Sequence, residues 1–311
     1  MQLDKPEFIE SIDEKEDNHM YELKQVAENS FYIQSPSKIG LVKLNEKDVC
    51  LIDSGGDKEA GRKVRQILDV NGWHLTAIYN THSNADHIGG NKYLQGQTGC
   101  KIYAPGIDCD FTRHPILEPS FLYGGFPPKD IKHKFLMAQE SDAEYLTDDC
   151  LPQGFQIISL RGHFFDMVGF RNAEDVVYLA DCLSSKETLD KYQISFIYDV
   201  GSYVNTLEMV KELQATIFVP AHAEVTDNII SLAQLNIDKV YEIAEKIVSI
   251  CAEPHCFEQI LQKLFSVYGL AMTFEQYALV GSTVRSYLSW LKDNDRIGVR
   301  FENNMLLWEK K

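Results

Sequence analysis

The sequence predicts a layered α/β protein, and three observations predict it. Short apolar runs that read as strands alternate with stretches of helical periodicity across most of the chain. The early part passes from polar–apolar alternation to continuous apolar runs, as a sheet does that is half-buried at its edge and buried at its centre. Four of the later runs stop at His82, His163, Asp181 and His222. In a layered α/β protein, residues at strand ends converge on one rim of the sheet, and loops there build sites.

Taken in order, residues 20–52 read as three strands. The first lies within 21–33 and alternates polar with apolar residues; 39–44 and 49–52 follow, separated by the polar turn Asn45-Glu46-Lys47-Asp48. Leu51-Ile52-Asp53-Ser54-Gly55-Gly56 ends the third strand in a glycine turn. The pattern over 57–70 is helical, with Ala60, Val64, Ile67 and Leu68 on one face, and Asn71-Gly72 stops it.

The apolar run 75–79 then delivers Thr81-His82-Ser83-Asn84-Ala85-Asp86-His87-Ile88-Gly89-Gly90. On an extended backbone His82 and Asn84 leave the same side. Asp86 and His87 fall at the start of a helix, where partial positive charge suits a carboxylate. The two glycines let the backbone pass close to a neighbour. An isolated histidine in a turn is ordinarily solvated or hydrogen-bonded. Imidazoles and a carboxylate grouped behind one strand are what metal chemistry needs.

A short helix is expected over 91–97 and a strand over 101–104, ended by Pro105-Gly106. The stretch 108–150, rich in proline and aromatics, is too long for an ordinary connection. It reads as a substrate-facing lid, with Phe121 and Tyr123 as an apolar wall and Lys129 as a charge. The alternative is a segment that packs on itself or on a second subunit. Strands resume at 155–160, ending in Arg161-Gly162-His163, then at 167–170 and at 176–179, ending in Ala180-Asp181. A helix over 206–213 and a strand over 216–219, ending in Pro220-Ala221-His222, complete this part.

From residue 231 the pattern changes. Helical periodicity runs over 237–250, 257–268 and 274–291, and two apolar runs flanking Glu302-Asn303-Asn304 signal a hairpin. The expected organisation is an acidic segment 1–20, a catalytic domain 21–230 with the insertion 108–150, and a helical C-terminal domain 231–311.

Composition narrows the function. The 311 residues carry 46 acidic against 30 basic side chains, a formal net charge of −16, which repels phosphate backbones and anionic membranes. No apolar run is long enough to span a bilayer, and the acidic start lacks the basic, then apolar, pattern of a secretory signal. A cytoplasmic protein is expected. The seven cysteines are odd in number, irregularly spaced and without a Cys-x-x-Cys pair, so neither a disulfide framework nor a structural zinc site is indicated. Cys182 is singled out because it adjoins Asp181; a buried core thiol is its ordinary reading.

The ordered set of His82, Asp86-His87, Gly162-His163, Asp181 and His222, with the Leu-Ile-Asp-Ser-Gly turn at 51–55, resembles the metallo-β-lactamase-fold hydrolases. The resemblance covers about 21–225. It implies a four-layer αββα sandwich with metals at one end. Carried over by position, His82 and His163 belong to a first metal site, Asp86, His87 and His222 to a second, and Asp181 bridges them. The sequence departs from the pattern at Asn84, where the family usually has histidine. Two zinc ions are expected, with Asn84 a weak ligand of the first site; a single metal, or iron or manganese, is the alternative that Asn84 opens. After His163 many members have Thr-Pro-Gly, whereas this chain has Phe164-Phe165-Asp166; Asp166 reads as a partner orienting a ligand histidine or as a turn residue, not as a ligand. The tail resembles a winged helix, but from 231 to 311 it holds nine basic and ten acidic residues, and a nucleic-acid reader shows a basic face. Docking, homodimer formation or a wall for the active site is the expected role of the tail.

The implied activity is metal-dependent hydrolysis of an ester, thioester or lactone, with a metal lowering the pKa of its water to about 7 and Asp86 binding the second metal and orienting the resulting hydroxide. No Gly-x-Ser-x-Gly sequence offers a serine nucleophile instead. The rivals are iron-dependent oxygen chemistry on the same fold, ribonuclease-like phosphodiester hydrolysis, and a scaffold that has lost catalysis.

Overall fold

The computed structural model of the chain describes residues 20–311. The acidic segment at residues 1–19 lies outside the described residues. Strands β1 (Leu23–Gln25), β2 (Ser30–Ile33), β3 (Ile39–Lys43), β4 (Asp48–Ile52), β5 (His74–Tyr79), β6 (Lys101–Ala104) and β7 (Ala143–Tyr145) lie side by side in that order in one seven-stranded sheet. A second sheet has the order β11-β10-β9-β8, from β8 (Gln156–Ser159), β9 (Val168–Arg171), β10 (Val176–Ser184) and β11 (Ile217–His222). Strands β1 to β4 pair antiparallel and β4 to β7 parallel; β10 and β11 are also parallel. The C-terminal ends of β4 and β5 in the first sheet therefore point one way, as do those of β10 and β11 in the second.

The sheets stack through alternate side chains. Tyr32, Val42, Cys50, Ile52, Ala77 and Tyr79 from the first meet Val168, Phe170, Tyr178 and Val219 from the second. The opposite face of the first sheet, with Leu41, Leu51, Leu75 and Ile78, is covered by α1 (Lys58–Asn71) and, through Leu94, by a later helix. Val64 and Leu68 are one helical turn apart and fully buried on α1, each worth about 1.5–3 kcal/mol. Asp57 caps this helix by accepting from the Glu59 and Ala60 N–H groups, and Gly72, at φ 65°, ends it. The helices after it are α2 (Ala85–Ile88), α3 (Asn91–Thr98), α4 (Gly106–Arg113), α5 (Leu117–Tyr123), α6 (Lys186–Tyr192) and α7 (Val200–Glu212).

The tail comprises α8 (Ile230–Ile250), α9 (Phe257–Tyr268), α10 (Phe274–Asp293) and the hairpin of β12 (Ile297–Glu302) with β13 (Met305–Lys310). One buried cluster joins the outer face of the second sheet, at Val177, Leu179 and Phe218, to α7 and to α8, α9 and α10. The layers are thus helix, sheet, sheet, helix, and the tail continues the last layer. Asn236, buried in α8, accepts from Ser184 N and donates to Ser184 O, which pins the tail to the end of β10. No helix among the described residues is long and apolar enough to cross a membrane.

Four local expectations change. The strand expected within 21–33 is two strands, because the chain turns at Ala27-Glu28-Asn29, held by Val26 and Ala27 N–H groups donating to Ser30 O and by Glu174 accepting from Asn29. The strand expected to stop at Leu179 runs on to Ser184 through an irregular register against β11, with Ala180 at φ 49°. The helix expected from 206 starts at Val200, where Asp199 caps it by accepting from Ser202 N. The helix expected from 237 starts at Ile230, and the insertion 108–150 contains most of α4, all of α5 and the edge strand β7.

Candidate metal centre

Local sequence places each site residue at the same end of the sheets. His82, Ser83 and Asn84 follow β5, Asp86 and His87 lie on α2, His163 follows β8, Asp181 sits within β10, and His222 ends β11. The close approach expected of the motif glycines is present. Gly90 N donates to Gly55 O and Ser54 N to His87 O, which docks α2 against the turn after β4.

The ligand-type atoms form two groups that share Asp181. Asp86, His87, Asp181 and His222 offer atoms within 4.8 Å of one another, as do His82, His163 and Asp181. Asp181 Oδ1 lies 2.8 Å from His87 Nε2, and Oδ2 lies 3.1 Å from His222 Nε2, 3.6 Å from His163 Nε2 and 4.0 Å from His82 Nε2. Asp86 Oδ2 is 3.5 Å from His222 Nε2 and 3.6 Å from His87 Nε2.

The far side of each ring fixes which nitrogen faces inward. Asp53 Oδ2 sits 2.7 Å from His87 Nδ1, Thr81 Oγ1 3.0 Å from His82 Nδ1, and the Pro36 carbonyl 3.1 Å from His222 Nδ1. These partners hold the Nε2 atoms toward the centre, as second contacts of metal-binding imidazoles do. Asp53, at φ 64°, also accepts from Thr81 N and Oγ1.

The donor set passes a direct test for metal. His82 Nε2, His87 Nε2 and Asp181 Oδ1 are buried with no hydrogen-bond partner; His87 and Asp181 are close but not aligned for one. Buried polar atoms are almost always partnered, so three converging lone atoms call for a cation between them. Charge agrees. Burial alone would lower His87, yet Asp181, Asp86 and Asp53 hold it well above the usual imidazole range. Burial likewise opposes charge on His222, but Asp181 and Asp86 push it up to about 10. Asp181, despite its burial, is held well below the usual carboxylate range, chiefly by His222 and His87. In the other group burial lowers His82 well below its ordinary value, with His87 adding to the effect. The carboxylate-rich half of the centre selects for positive charge, and the two clusters fit metal ions.

The three candidates for substrate contact occupy different surroundings. Phe121 packs edge-on against Phe111, Phe164, Phe165 and Tyr198, behind the His163 loop. Tyr123 is exposed, 6.0 Å from the Phe274 ring, and Lys129 is exposed at the start of a short 3₁₀ turn. Asp166 is a turn organiser: it accepts from Ile107 N and Arg161 Nη2. Cys182 is a fully buried core residue; burial, with Asp181 beside it, raises its thiol far above the ordinary value.

Sequence alone does not single out Asp108 or Glu118, and it gives Asp53 no role beyond its turn. Asp108 is fully buried, accepts from Ser83 N and Ser83 Oγ with one oxygen and from Asp166 N with the other, and so ties the His82 loop to the His163 loop. Glu118, also buried, accepts from Asn84 Nδ2 at 2.7 Å. No local signal in the sequence marks either residue, because the partners that give them their roles lie 25 and 34 residues away.

Burial raises Asp108 to about 7 against its three donors. The folded protein therefore holds this proton more tightly than the unfolded chain. The associated stability is complete below about pH 4 and is lost as pH rises through about 7. Asp108→Asn, which presents an N–H to Asp166 N, is expected to cost about 1–3 kcal/mol and to remove that part of the slope. Urea unfolding of the metal-stripped wild type and variant at several pH values between 4 and 7 checks both; parallel pH profiles would refute the assignment.

A family model described as the metallo-beta-lactamase superfamily matches residues 33–222, more than half of the chain. A hydroxyacylglutathione hydrolase of Maricaulis maris is 50% identical over 48 residues, 15% of this chain and 17% of that protein. One of Rhodospirillum rubrum is 32% identical over 84 residues, 24% of this chain and 32% of that protein. The matches thus span less than a third of those relatives. Among solved structures, a beta-lactamase domain protein from Burkholderia ambifaria superposes with a TM-score of 0.70 at 12% identity, covering 94% of each chain. A metallo-beta-lactamase family protein from Thermus thermophilus gives 0.69 at 15% identity, covering 93% of this chain and 97% of that one. At these identities the likeness is one of fold, and it extends through the helical tail.

Proposed function

This chain belongs to the metallo-beta-lactamase superfamily, and from that membership we propose that it is a hydrolase of acyl thioesters using two divalent ions, zinc being the expected metal. The observation that carries the reading is the carboxylate of Asp181, common to two groups of imidazole and carboxylate donors. His82 and His163 would hold one ion with it, and Asp86, His87 and His222 the other. Nitrogen and carboxylate donors of this kind suit zinc. Ions held there would supply Lewis acidity and would lower the pKa of a bound water to about 7.

The chain's own residues do the rest. Asp86 has its side chain 45% exposed, so it lies on the open side of the centre, where it can take a proton from attacking water. Ser37 Oγ donates to its Oδ2 at 2.5 Å and fixes the carboxylate. Asp53, Thr81 and the Pro36 carbonyl keep three rings in register, so no reorganisation is needed during the reaction. The thioester class is supported by the hydroxyacylglutathione hydrolases among its relatives. The net charge of −16 speaks against a polyanionic substrate.

The test pairs elemental analysis of protein purified without tag or chelator with a thiol-release assay. S-hydroxyacylglutathiones would be compared with a matched oxygen ester, a lactone and a phosphodiester. About two zinc ions per chain and kcat/KM on thioesters of at least about 10⁴ M⁻¹s⁻¹ are expected. Asp86→Ala and His222→Ala should each abolish turnover while the protein stays folded. Turnover retained in both variants, or iron with oxygen uptake and no thiol release, would sink the reading. A protein that cannot be loaded with metal would leave the scaffold reading in its place.

A further inference from the structure

Asn84 is the position within the motif 82–87 at which this chain departs from the pattern it resembles, and three observations define what it does. It occupies the N-cap of α2 but makes no capping hydrogen bond with its side chain. An asparagine at that position ordinarily accepts from the N–H two or three residues on, a bond worth about 1 kcal/mol. Here the amide is directed elsewhere: Nδ2 donates to Glu118 Oε1 at 2.7 Å, and Oδ1 lies 3.1 Å from His163 Nε2. Glu118 itself is only 5% exposed, on α5, in the insertion. A buried carboxylate is costly unless a donor meets it, and the Asn84 amide is that donor.

With its nitrogen given to Glu118 Oε1, the amide has its oxygen on the opposite side, facing His163 Nε2. That side holds the His82–His163–Asp181 group, which has one donor fewer than its neighbour.

We propose that Glu118 is a positioning residue: by accepting the Asn84 amide N–H it turns the amide oxygen onto the His82–His163–Asp181 group as the fourth donor. The two ions are then held by equal numbers of nitrogen and oxygen donors. Glu118 thus substitutes, at one remove, for the imidazole that the position lacks. The insertion thereby contributes to the metal centre through α5.

This inference rests on the two-ion reading above, and its test separates the two. Apoprotein of the full chain is titrated with cobalt(II), followed by calorimetry and by visible absorption, which report stoichiometry and coordination without turnover. Wild type should bind two ions. Glu118→Leu should weaken one of them at least tenfold and leave the other unchanged, the retained ion serving as evidence of a folded centre. Glu118→Gln, whose side-chain carbonyl can still accept the amide N–H, should keep both ions within about threefold. Asn84→Ala should match Glu118→Leu, and adding Glu118→Leu to Asn84→Ala should change nothing further, because Glu118 acts only through Asn84. Two undisturbed ions in Glu118→Leu, loss of both, or an additional loss in the double variant would overturn the proposal. Wild type that binds no ion at all would instead remove the two-ion reading itself.

Discussion

If the proposed function holds, Asp181→Ala is expected to empty both metal groups at once and to lower the proposed thioester turnover by about 10³-fold or more. One carboxylate faces four imidazoles: Oδ1 meets His87, and Oδ2 meets His222, His163 and His82, within 2.8 to 4.0 Å. Its removal leaves those rings turned toward each other, and the Nε2 atoms of His82 and His87 already lack hydrogen-bond partners. Asp181 is also a principal source of the field that favours positive charge on His87 and His222. Among the described residues no other carboxylate serves both groups, so the loss cannot be shared out. His222→Ala touches only the Asp86–His87 group and should cost that ion alone. The contrast is visible without catalysis. Ions at one hundred times their dissociation constant stabilise a folded protein by about 2.7 kcal/mol. Wild type should therefore lose thermal stability on chelation, His222→Ala should lose less, and Asp181→Ala should show no response. Two ions per chain in Asp181→Ala would contradict the shared-ligand geometry.

How much of this can be read from the residues follows from how far apart the interacting partners are in sequence. His82, Asp86, His87, His163, Asp181 and His222 each announce themselves locally, because each stands at or just beyond an apolar strand and strand ends meet at a rim. The structure brings all six together. The tail helices are legible for the same local reason, since their apolar residues recur at helical spacing. The residues that hold the ligands in place are not legible. Asp53 is meaningful only once β4 and β5 are parallel neighbours and Thr81 and His87 reach it. Asp108 acquires its role from two loops 25 and 58 residues away. Glu118 is one acidic residue among many until α5 is laid beside Asn84. Asn84 itself stands out as a departure, but its compensation lies 34 residues on. The start of α7 is hidden by Gly201 and Ser202, which read as breakers; the cap on Asp199 overrides them.

Gly89→Ala is the substitution expected to damage the fold most for the smallest chemical change. Gly89 has φ −62° and ψ −29°, ordinary helical values, so alanine suffers no conformational penalty there. The obstacle is purely steric. A Cβ at Gly89 would stand 2.2 Å from both the carbonyl carbon and oxygen of Gly56, and 2.5 Å from Asp57 N. All three are backbone atoms, so no side chain can rotate away. The chain must separate α2 from the turn after β4, which also carries Asp53 and the Asp57 cap of α1. Destabilisation of about 3 kcal/mol or more is expected, with metal lost from the Asp86–His87 group as α2 shifts. Gly96 supplies the control. It lies inside α3, and nothing stands within 4 Å of where its Cβ would go. Gly96→Ala should stabilise the protein by up to about 1 kcal/mol, through helix propensity and a less flexible unfolded chain. The same one-carbon addition at the C-cap of α2 and inside α3 should thus move the denaturation midpoint in opposite directions. Similar midpoints for the two variants would mean that the backbone contact behind the metal motif is not as tight as its geometry requires.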